Sequence, residues 1–420
     1  MKKINNIVLL LMIGTKLYAQ SNAALSIDSC YTMAKRNYPL LKQMALIEKT
    51  KEYSLDNASK GYLPQLNIAG QATYQSDVTA IPISLPGMNI QSLNKDQYKI
   101  YAELSQSVTD PFTIKQQKAI IEANNSTEIE KIEVELYKLK ERINQLYFGI
   151  LMIETQWQQV NLLKKDIELN LQKTNAAIAN GISLKSNADI LQAEIFKIEQ
   201  RIIELKASRK AYLEMLSLFI NKPIDEQTIL KIPIYSMASS SINRPELKLF
   251  ELQKKGIDAQ QKLLASKNLP KVSLFVQGGY GRPTLNMLNN DFGTYYIGGA
   301  RFIWNLSAFY TYQKERQLLT INQHQIDIQK EVFLFNNQLL LKQQNSEVNK
   351  LSELLNNDQQ IVALREKIKD TANSQLENGS ITAIDYLNAL NAMDQAKQNL
   401  ALHQIQLLLA QYTFQNTSGN

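Results

Sequence analysis

Residues 129–178 read IEKIEVELYKLKERINQLYFGILMIETQWQQVNLLKKDIELNLQKTNAAI, with apolar side chains at alternating steps of three and four. Such a heptad repeat predicts one narrow apolar seam along a helix, which is typical of helices that supercoil together. Only Lys164 and Thr174 interrupt the seam. No proline interrupts residues 112–222. We therefore expect one helix from Thr113 to Asn180, roughly 100 Å long at ~1.5 Å per residue, in a rod or a tube.

The first residues have the composition of an export signal. Two lysines precede a short apolar run at residues 7–13, and Ala19 is a small residue that suits a cleavage site. This order predicts a secretory signal peptide over residues 1–19. The chain has a single cysteine, Cys30, so no internal disulfide can form.

Four segments alternate apolar and polar residues, as strands with two different faces do. They are Leu66–Gln75, Tyr98–Val108, Val272–Gly279 and Tyr295–Trp304. Each has about the ten residues that a tilted strand needs to cross an outer membrane. Aromatic residues cluster near the strand ends, where the girdles of a membrane barrel lie: Tyr74, Tyr98, Tyr101, Tyr280, Tyr295, Tyr296 and Trp304.

The order helix, strand, strand, long helix, return helix occurs twice along the chain. Pro39 and Pro64 stand 25 residues apart, and Pro245 and Pro270 have the same spacing. This echo predicts an internal twofold repeat. The predicted parts are a signal peptide (1–19), a first repeat (20–221), a linker (222–243) and a second repeat (244–420).

Four strands in one chain cannot close a barrel, because the smallest barrels need about eight. Open sheet edges in lipid would leave backbone groups unpaired at a cost of several kcal/mol each. Strands in a membrane must therefore combine between copies, and three copies would give twelve strands with room for a passage. The alternative is a small soluble sheet that caps a cytoplasmic rod. The predicted export signal and the strand length favour the membrane.

The sequence also resembles the TolC-like outer membrane efflux proteins over essentially the whole mature length. The sharpest local match is NGSITAIDYLNA at residues 378–389, followed by AKQNL at residues 396–400. In the family this motif forms a hairpin tip, with six residues from Gly to Asp. The first repeat has a weaker counterpart, in which Gly181 and Asp189 stand eight residues apart.

The resemblance implies an α+β fold that is mainly α. Long antiparallel helical hairpins would form a tunnel, and four strands per chain would join a trimeric, twelve-stranded outer-membrane β-barrel. The implied partners are two further copies in a homotrimer, a periplasmic adaptor (membrane fusion) protein, an inner-membrane pump of RND or ABC type, and outer-membrane lipid. The implied function is a passive exit duct of a tripartite efflux or type I secretion system, in the outer membrane with its helices in the periplasm.

The resemblance also assigns candidate residues. A pore constriction at the periplasmic mouth is expected at Asp385 and Asn388, and a ring of three Asp385 carboxylates would favour cations. Adaptor docking is expected at the hairpin tips, at Gly181, Asp189, Gly379, Ser380, Asp385 and Leu387. Asp385 has an alternative role as a helix cap that accepts backbone N–H groups, and both roles can hold at once.

We find no pattern that indicates catalysis, a cofactor or a metal site. His324 and His403 each stand alone, without a second ligand at metal-binding spacing, and are expected on solvated helix faces. The segment Gly278–Gly281 ends a strand with no helix after it, so it does not predict a phosphate loop. We therefore expect no enzyme.

The charge of the chain excludes one class of partner. The full chain carries +7, and the predicted signal contributes three lysines, which leaves 7 − 3 = +4. This charge is mild and the sequence has no basic block, so nucleic acid is not an expected partner.

The alternative function is a periplasmic or surface coiled-coil scaffold without a pore.

Overall fold

The computed structural model describes residues 24–79, 92–235 and 241–419, so the predicted signal peptide lies outside the described residues. Within the described residues, seven α-helices and four β-strands follow one another. Their order is α1 (Ile27–Asn37), α2 (Leu41–Lys60), β1 (Gln65–Tyr74), β2 (Asp96–Ser107), α3 (Asp110–Ala179), α4 (Lys185–Ile220), α5 (Pro245–Lys267), β3 (Lys271–Arg282), β4 (Gly293–Ile303), α6 (Phe309–Glu377) and α7 (Ala383–Ser418). The predicted α+β class, mainly α, is confirmed.

Prolines set two boundaries differently from the sequence prediction. The sequence predicts one helical segment from about Leu25 to Ser59. The structure divides it into α1 and α2, because Pro39 disfavours helical backbone at Tyr38. Helix α3 begins at Asp110 rather than Thr113. A proline is tolerated there because the first-turn N–H groups have no partner within the helix.

Residue contacts divide the chain into two units, each made of separate stretches. Among the described residues, unit 1 comprises 24–37, 139–235 and 344–416, and unit 2 comprises 38–79, 92–138, 241–343 and 417–419. The long helices α3 and α6 each contribute one part to either unit. The sequence prediction divided the chain differently, into consecutive segments: two repeats, 20–221 and 244–420, with a linker at 222–243. This division stays a prediction.

In unit 1, four helices share one apolar core. The residues of this core are Val160, Leu163 and Ile167 of α3, Leu191, Ile195 and Ile198 of α4, Ala372 of α6, and Tyr386, Leu387, Leu390 and Met393 of α7. Complete burial of one large apolar side chain contributes about 1.5–3 kcal/mol. The core therefore fixes the α3–α4 hairpin to the α6–α7 hairpin close to the two turns.

The described part of the predicted linker is held within unit 1 by Arg209. The Arg209 side chain is only 9% exposed and forms an ion pair with Glu154 at 2.7 Å. Its guanidinium also donates to the carbonyl oxygens of Glu226 and Thr228, at 2.7 and 3.2 Å. A buried guanidinium needs such acceptors, so this polar residue in the α4 seam anchors the segment that follows α4.

Unit 2 contains one antiparallel sheet in the order β1-β2-β3-β4. Each strand pairs with the next one along the chain, so β1 and β4 form the two edges. The first half of α3 lies in the same unit, and its seam residues Ile132 and Leu136 are buried there.

Candidate functional site

The two hairpin turns of unit 1 have the same backbone plan. Gly181 and Gly379 adopt φ of +72° and +68°, the left-handed region that favours glycine. In each turn the next N–H reaches back to the helix end: Ile182 to the Ala177 oxygen and Ser380 to the Gln375 oxygen, both at 2.8 Å. The return helices α4 and α7 begin at Lys185 and Ala383, so 185 − 181 and 383 − 379 are both four.

Asp385 is part of a reciprocal cap at the start of α7. Its Oδ2 accepts from the backbone N–H of Thr382 at 3.0 Å and from the Thr382 hydroxyl at 2.6 Å. In return, the backbone N–H of Asp385 donates to the Thr382 hydroxyl oxygen at 3.2 Å. These hydrogen bonds lower the pKa of the Asp385 carboxyl. The capping role weighed from the sequence is therefore present, and the exposed carboxylate stays charged at neutral pH.

The first tip carries its acid at a different helical position. The third residue of α4 is Asn187, whose amide donates to the Ser183 hydroxyl at 3.2 Å. Asp189 lies two residues further and is exposed. Because both return helices begin four residues after their glycine, the longer Gly-to-Asp spacing moves the acid along the helix. It does not lengthen the turn.

The remaining candidate residues divide into exposed and buried groups. Gly181, Gly379, Ser380 and Asn388 are exposed. Leu387 is only 7% exposed and belongs to the four-helix core, so any contribution it makes to docking passes through packing. The assignment of these residues to a constriction or to docking stays a prediction.

A cleft of about 840 Å³ lies between the two tips of unit 1. One wall carries Ile182 and Leu184, which are 74% and 72% exposed, and the other carries Gly379–Thr382. Thr174 lines the floor. The sequence prediction missed this cleft. The sequence signal for the cleft was Thr174, the one of the two polar seam residues that lies nearer the turn.

Two polar links cross the cleft between α3 and the α6–α7 hairpin. The Asn170 amide donates to the Tyr386 hydroxyl at 2.6 Å in buried surroundings. Nearer the surface, Lys173 and Glu377 form an ion pair at 2.5 Å, and this contact lowers the pKa of Glu377. Loss of the buried hydrogen bond would leave a buried polar group without a partner, which destabilises the fold, whereas the exposed ion pair contributes little to stability.

The sheet of unit 2 has one apolar face and one polar face. The register places Leu66, Leu104 and Val276 in one row across the strands. The same face, here called the apolar face, also carries Ile68, Ile100, Leu274, Tyr280, Tyr296 and Phe302, all at least half exposed. The opposite polar face carries Asn67, Gln71, Lys99, Glu103, Ser105, Ser273, Gln277 and Arg301. The predicted alternation is present in β1, β2 and β3, whereas β4 places Ile297 and Ile303 beside Arg301 on the polar face.

Aromatic side chains mark both ends of the apolar face. At the end beside the β3–β4 loop, Phe292 stacks on Tyr280 and Tyr98, with centroids 5.7 and 6.2 Å apart. At the end beside the helices, Phe302 and Trp304 are exposed. The aliphatic residues lie between these two ends, which is the arrangement of an aromatic-rimmed membrane band.

No helix of the described residues is long and apolar enough to span a bilayer.

The described residues also hold no group of three or more His, Cys, Asp or Glu side chains that could bind a metal ion. His324 is exposed, as predicted. The prediction for His403 was wrong, because this residue is half-buried and its Nδ1 lies 2.6 Å from Asp358 Oδ2. The pairing of α7 with α6 covers the ring, and helical periodicity did not reveal it.

No protein-family model matches this chain, and no curated protein matches its sequence. Solved structures match it over almost their whole length. The outer membrane protein VceC from Vibrio cholerae has a TM-score of 0.65 at 13% identity, covering 94% of this chain and 97% of VceC. The MtrE outer membrane channel of Neisseria gonorrhoeae has a TM-score of 0.66 at 14% identity, covering 94% and 89%. The CmeC outer membrane channel of Campylobacter jejuni has a TM-score of 0.63 at 13% identity, covering 94% and 85%.

These matches define the class of fold. The chain has the fold of the outer membrane efflux channels of the TolC family, so the resemblance noted in the sequence is confirmed for the fold.

Proposed function

We propose that this chain is the outer-membrane exit duct of a tripartite efflux or type I secretion system. Three copies would close a twelve-stranded barrel in the outer membrane, and their long helices would enclose a tunnel in the periplasm. The observation that carries the proposal is the polarity of the sheet, whose exposed face is apolar between two aromatic rims.

The exposed apolar face supports a lipid environment. Ile68 is 75% exposed and Tyr296 is 81% exposed, and the register places both in one row near the middle of the face. From the Tyr280 row to the Val272 row is eight residues along β3, or about 26 Å at ~3.3 Å per residue. At a tilt of about 40° this spans roughly 20 Å, close to the apolar band of outer-membrane barrels.

Two features of the chain support association with further copies. Strands β1 and β4 are open edges, and their backbone groups need partners in lipid. Helix α6 carries a heptad stripe on unit 2 that is exposed in one chain, at Ile321, Ile328, Val332, Phe335 and Leu339. Neighbouring copies would pair the strand edges and cover the stripe.

The hairpin tips are the proposed docking surface for a periplasmic adaptor. The cleft between them combines exposed apolar side chains with hydrogen-bonding groups, which suits the apolar face of a partner helix. An inner-membrane pump of RND or ABC type would supply the energy, and the duct itself would be passive rather than enzymatic.

A coiled-coil scaffold without a pore is the second candidate function. The heptad seam of α3 is compatible with it. A scaffold in water would, however, leave the whole apolar face of the sheet exposed, which soluble proteins avoid over such an area. The duct therefore accounts for a feature that the scaffold leaves unexplained.

The decisive experiment compares membrane partition, mass and conductance of the purified protein. We expect extraction from the outer membrane only with detergent, a particle with three times the mass of one mature chain, and ion conductance in planar bilayers. A monomer released without detergent that conducts no ions would support the scaffold and exclude the duct.

Docking is tested separately in cells with a photo-reactive amino acid at the exposed Ser380. We expect ultraviolet light to link this position to a periplasmic protein that contains a long helical hairpin. The control places the same amino acid at the buried Tyr386, which should form no such link. Equal labelling at both positions, or labelling only of outer-membrane proteins, would contradict docking at this tip.

A further inference from the structure

The charges on the sheet are divided unevenly between its two faces. The apolar face carries Asp96 and Arg282 at its rim, and these two residues form an ion pair with each other. The polar face carries Lys99, Lys271 and Arg301 against a single acid, Glu103. The four described strands therefore place a net charge of +2 on the polar face and none on the apolar face.

The one acid of the polar face is already neutralised. Arg301 donates to both Glu103 oxygens, at 3.0 and 3.1 Å. The guanidinium also lies 4.6 Å from the centre of the Phe275 ring, which fixes its position. A bidentate pair of this kind shows little net charge to a passing solute. The excess positive charge therefore belongs to the lysines.

Both lysines are exposed, and Lys99 is the one that lies towards the strand connections. It lies in one row with Gln71 on β1, Gly281 on β3 and Gly293 on β4. A Cβ on Gly281 would lie 3.1 Å from Lys99 Cγ, so the lysine stem covers the neighbouring glycine. At the other end of the row, a Cβ on Gly293 would lie 2.8 Å from Thr284 Cγ2, so a threonine side chain occupies the space over this glycine.

The next row towards the helices is aromatic. It contains Tyr101 and Tyr295 on either side of Gly279. A Cβ on Gly279 would lie 2.7 Å from Tyr295 Cζ and 2.8 Å from Tyr101 Cβ, so the Tyr295 ring and the base of the Tyr101 side chain lie against that glycine. Lys99 therefore lies between this aromatic row and the end of the sheet where β1 connects to β2 and β3 connects to β4.

We propose that Lys99 forms a cationic ring in the lumen of the barrel and that the duct favours anionic cargo at its outer end. This inference rests on the proposed function, because threefold symmetry multiplies the lysine and the polar face becomes the lumen wall. Three ammonium groups around one water-filled passage raise the local concentration of anions and lower that of cations.

The ring acts at a different place from the acidic tip. A carboxylate ring at Asp385 would select at the periplasmic mouth, whereas Lys99 selects where cargo leaves. Anionic solutes, including amphiphiles with one negative group, are the substrate class that the Lys99 ring admits most readily.

The test measures the local potential at a cysteine beside Lys99. Gln71 pairs directly with Lys99 in the register, so Gln71→Cys places a thiol in the same row. Reaction rates are compared for an anionic and a cationic methanethiosulfonate of similar size, added outside intact cells at low ionic strength. Native Cys30 is fully buried, and burial raises the pKa of its thiol to about 12, so it stays unreactive. The measurement does not require an open periplasmic mouth.

We expect the anionic reagent to react about threefold or more faster than the cationic one, relative to their rates with a free thiol. Lys99→Gln should bring this ratio close to one, and Lys99→Arg should preserve it. A ratio that is the same with lysine and with glutamine at position 99 would overturn the proposal.

A second thiol separates this failure from failure of the duct. Ile100→Cys lies on the apolar face, and lipid should protect it from both reagents. Fast labelling of Ile100→Cys together with no labelling of Gln71→Cys would mean that the apolar face contacts water and the polar face does not. This result would contradict the proposed duct itself.

Discussion

Asp385 shows how one side chain serves the fold and the proposed pore at once. Its Oδ2 is occupied by the two hydrogen bonds of the cap on Thr382. The carboxylate nevertheless remains exposed, and the cap holds its pKa below the usual range, so it is charged at neutral pH. The cap contribution to stability is therefore present above the ordinary pKa and is lost only as the pH falls through the lowered folded value.

Two substitutions separate the cap from the acidic ring. Asp385→Asn keeps an oxygen that can accept from Thr382 but removes the charge, whereas Asp385→Ala removes both. We expect both variants to raise single-channel conductance or to weaken block by multivalent cations in planar bilayers. Only the alanine variant should also make the tip more sensitive to protease. Unchanged conductance and block in the asparagine variant would leave Asp385 as a cap alone.

A second acid of α7, Asp394, is buried and has the opposite behaviour. It is 7% exposed and accepts a hydrogen bond from Gln398, which in turn accepts one from Arg201 at 2.5 Å. Burial raises the pKa of Asp394 from the ordinary 3.8 to about 6, although the Arg201 charge opposes this rise. Between these values the folded carboxyl binds a proton that the unfolded one releases, so stability falls as the pH rises through this window.

Replacement of Asp394 by asparagine should remove that part of the pH dependence. The contribution is on the order of 1–3 kcal/mol, since one pKa unit corresponds to about 1.4 kcal/mol. We expect the melting temperature of wild-type protein in detergent to decrease between pH 4 and pH 7, and Asp394→Asn to show a smaller decrease. Asp189→Asn, at an exposed acid, is the control. Parallel pH profiles for the wild type and Asp394→Asn would show that Asp394 does not titrate in this window.

At the scale of helices and strands, sequence periodicity predicted the patterns that extend over many residues. It missed contacts that are made by a single pair of residues. The seam of α3 and the alternation of the strands each extend over many residues, so errors at single positions do not hide them. The Thr382–Asp385 cap, the Asn170–Tyr386 link and the covered His403 ring depend on where one helix meets another. The sequence of one chain does not show which residues of two helices will be in contact. The helix break at Pro39 was visible in principle, because proline restricts the residue before it.

The two faces of β1 give a direct test of what surrounds the sheet. Ile68 lies near the middle of the apolar face, and its neighbour Asn67 points to the polar face. In a membrane barrel, a lysine on the lipid face near the midplane costs about 2–4 kcal/mol, whereas lumen positions tolerate charge. We expect Ile68→Lys to reduce assembly in the outer membrane strongly and Asn67→Lys to leave it unchanged.

The same pair of variants distinguishes the scaffold from the duct. On a sheet in water, Ile68→Lys would replace an exposed apolar side chain with a soluble one and would not reduce yield. The measurement is the amount of heat-resistant, detergent-extracted trimer per cell, beside the amount in the soluble periplasm. Equal trimer yield for both variants would show that the apolar face does not contact lipid.

At the scale of the whole molecule, the two long helices differ in where their seams lie. Seam residues of α3 such as Leu136 and Ile143 are 3% and 1% exposed within one chain. The stripe of α6 on unit 2 is about half exposed, and Phe335 reaches 60%. An apolar heptad stripe in water predicts a partner helix. The two halves of the internal repeat are therefore not equivalent. The α3 seam is buried within its own chain, whereas the α6 stripe on unit 2 is exposed to solvent.

Phe335→Glu tests whether identical copies cover that stripe. Complete burial of one phenylalanine contributes about 1.5–3 kcal/mol, and a trimer would lose this contribution three times while burying three carboxylates. We expect the variant to shift from trimer towards monomer when its mass is measured by light scattering in mild detergent. Phe335→Leu keeps an apolar side chain at the same position and should remain trimeric. If Phe335→Glu forms trimers as stable to heat as those of the wild type, the α6 stripe does not lie between copies, and the strand edges alone must hold the assembly together.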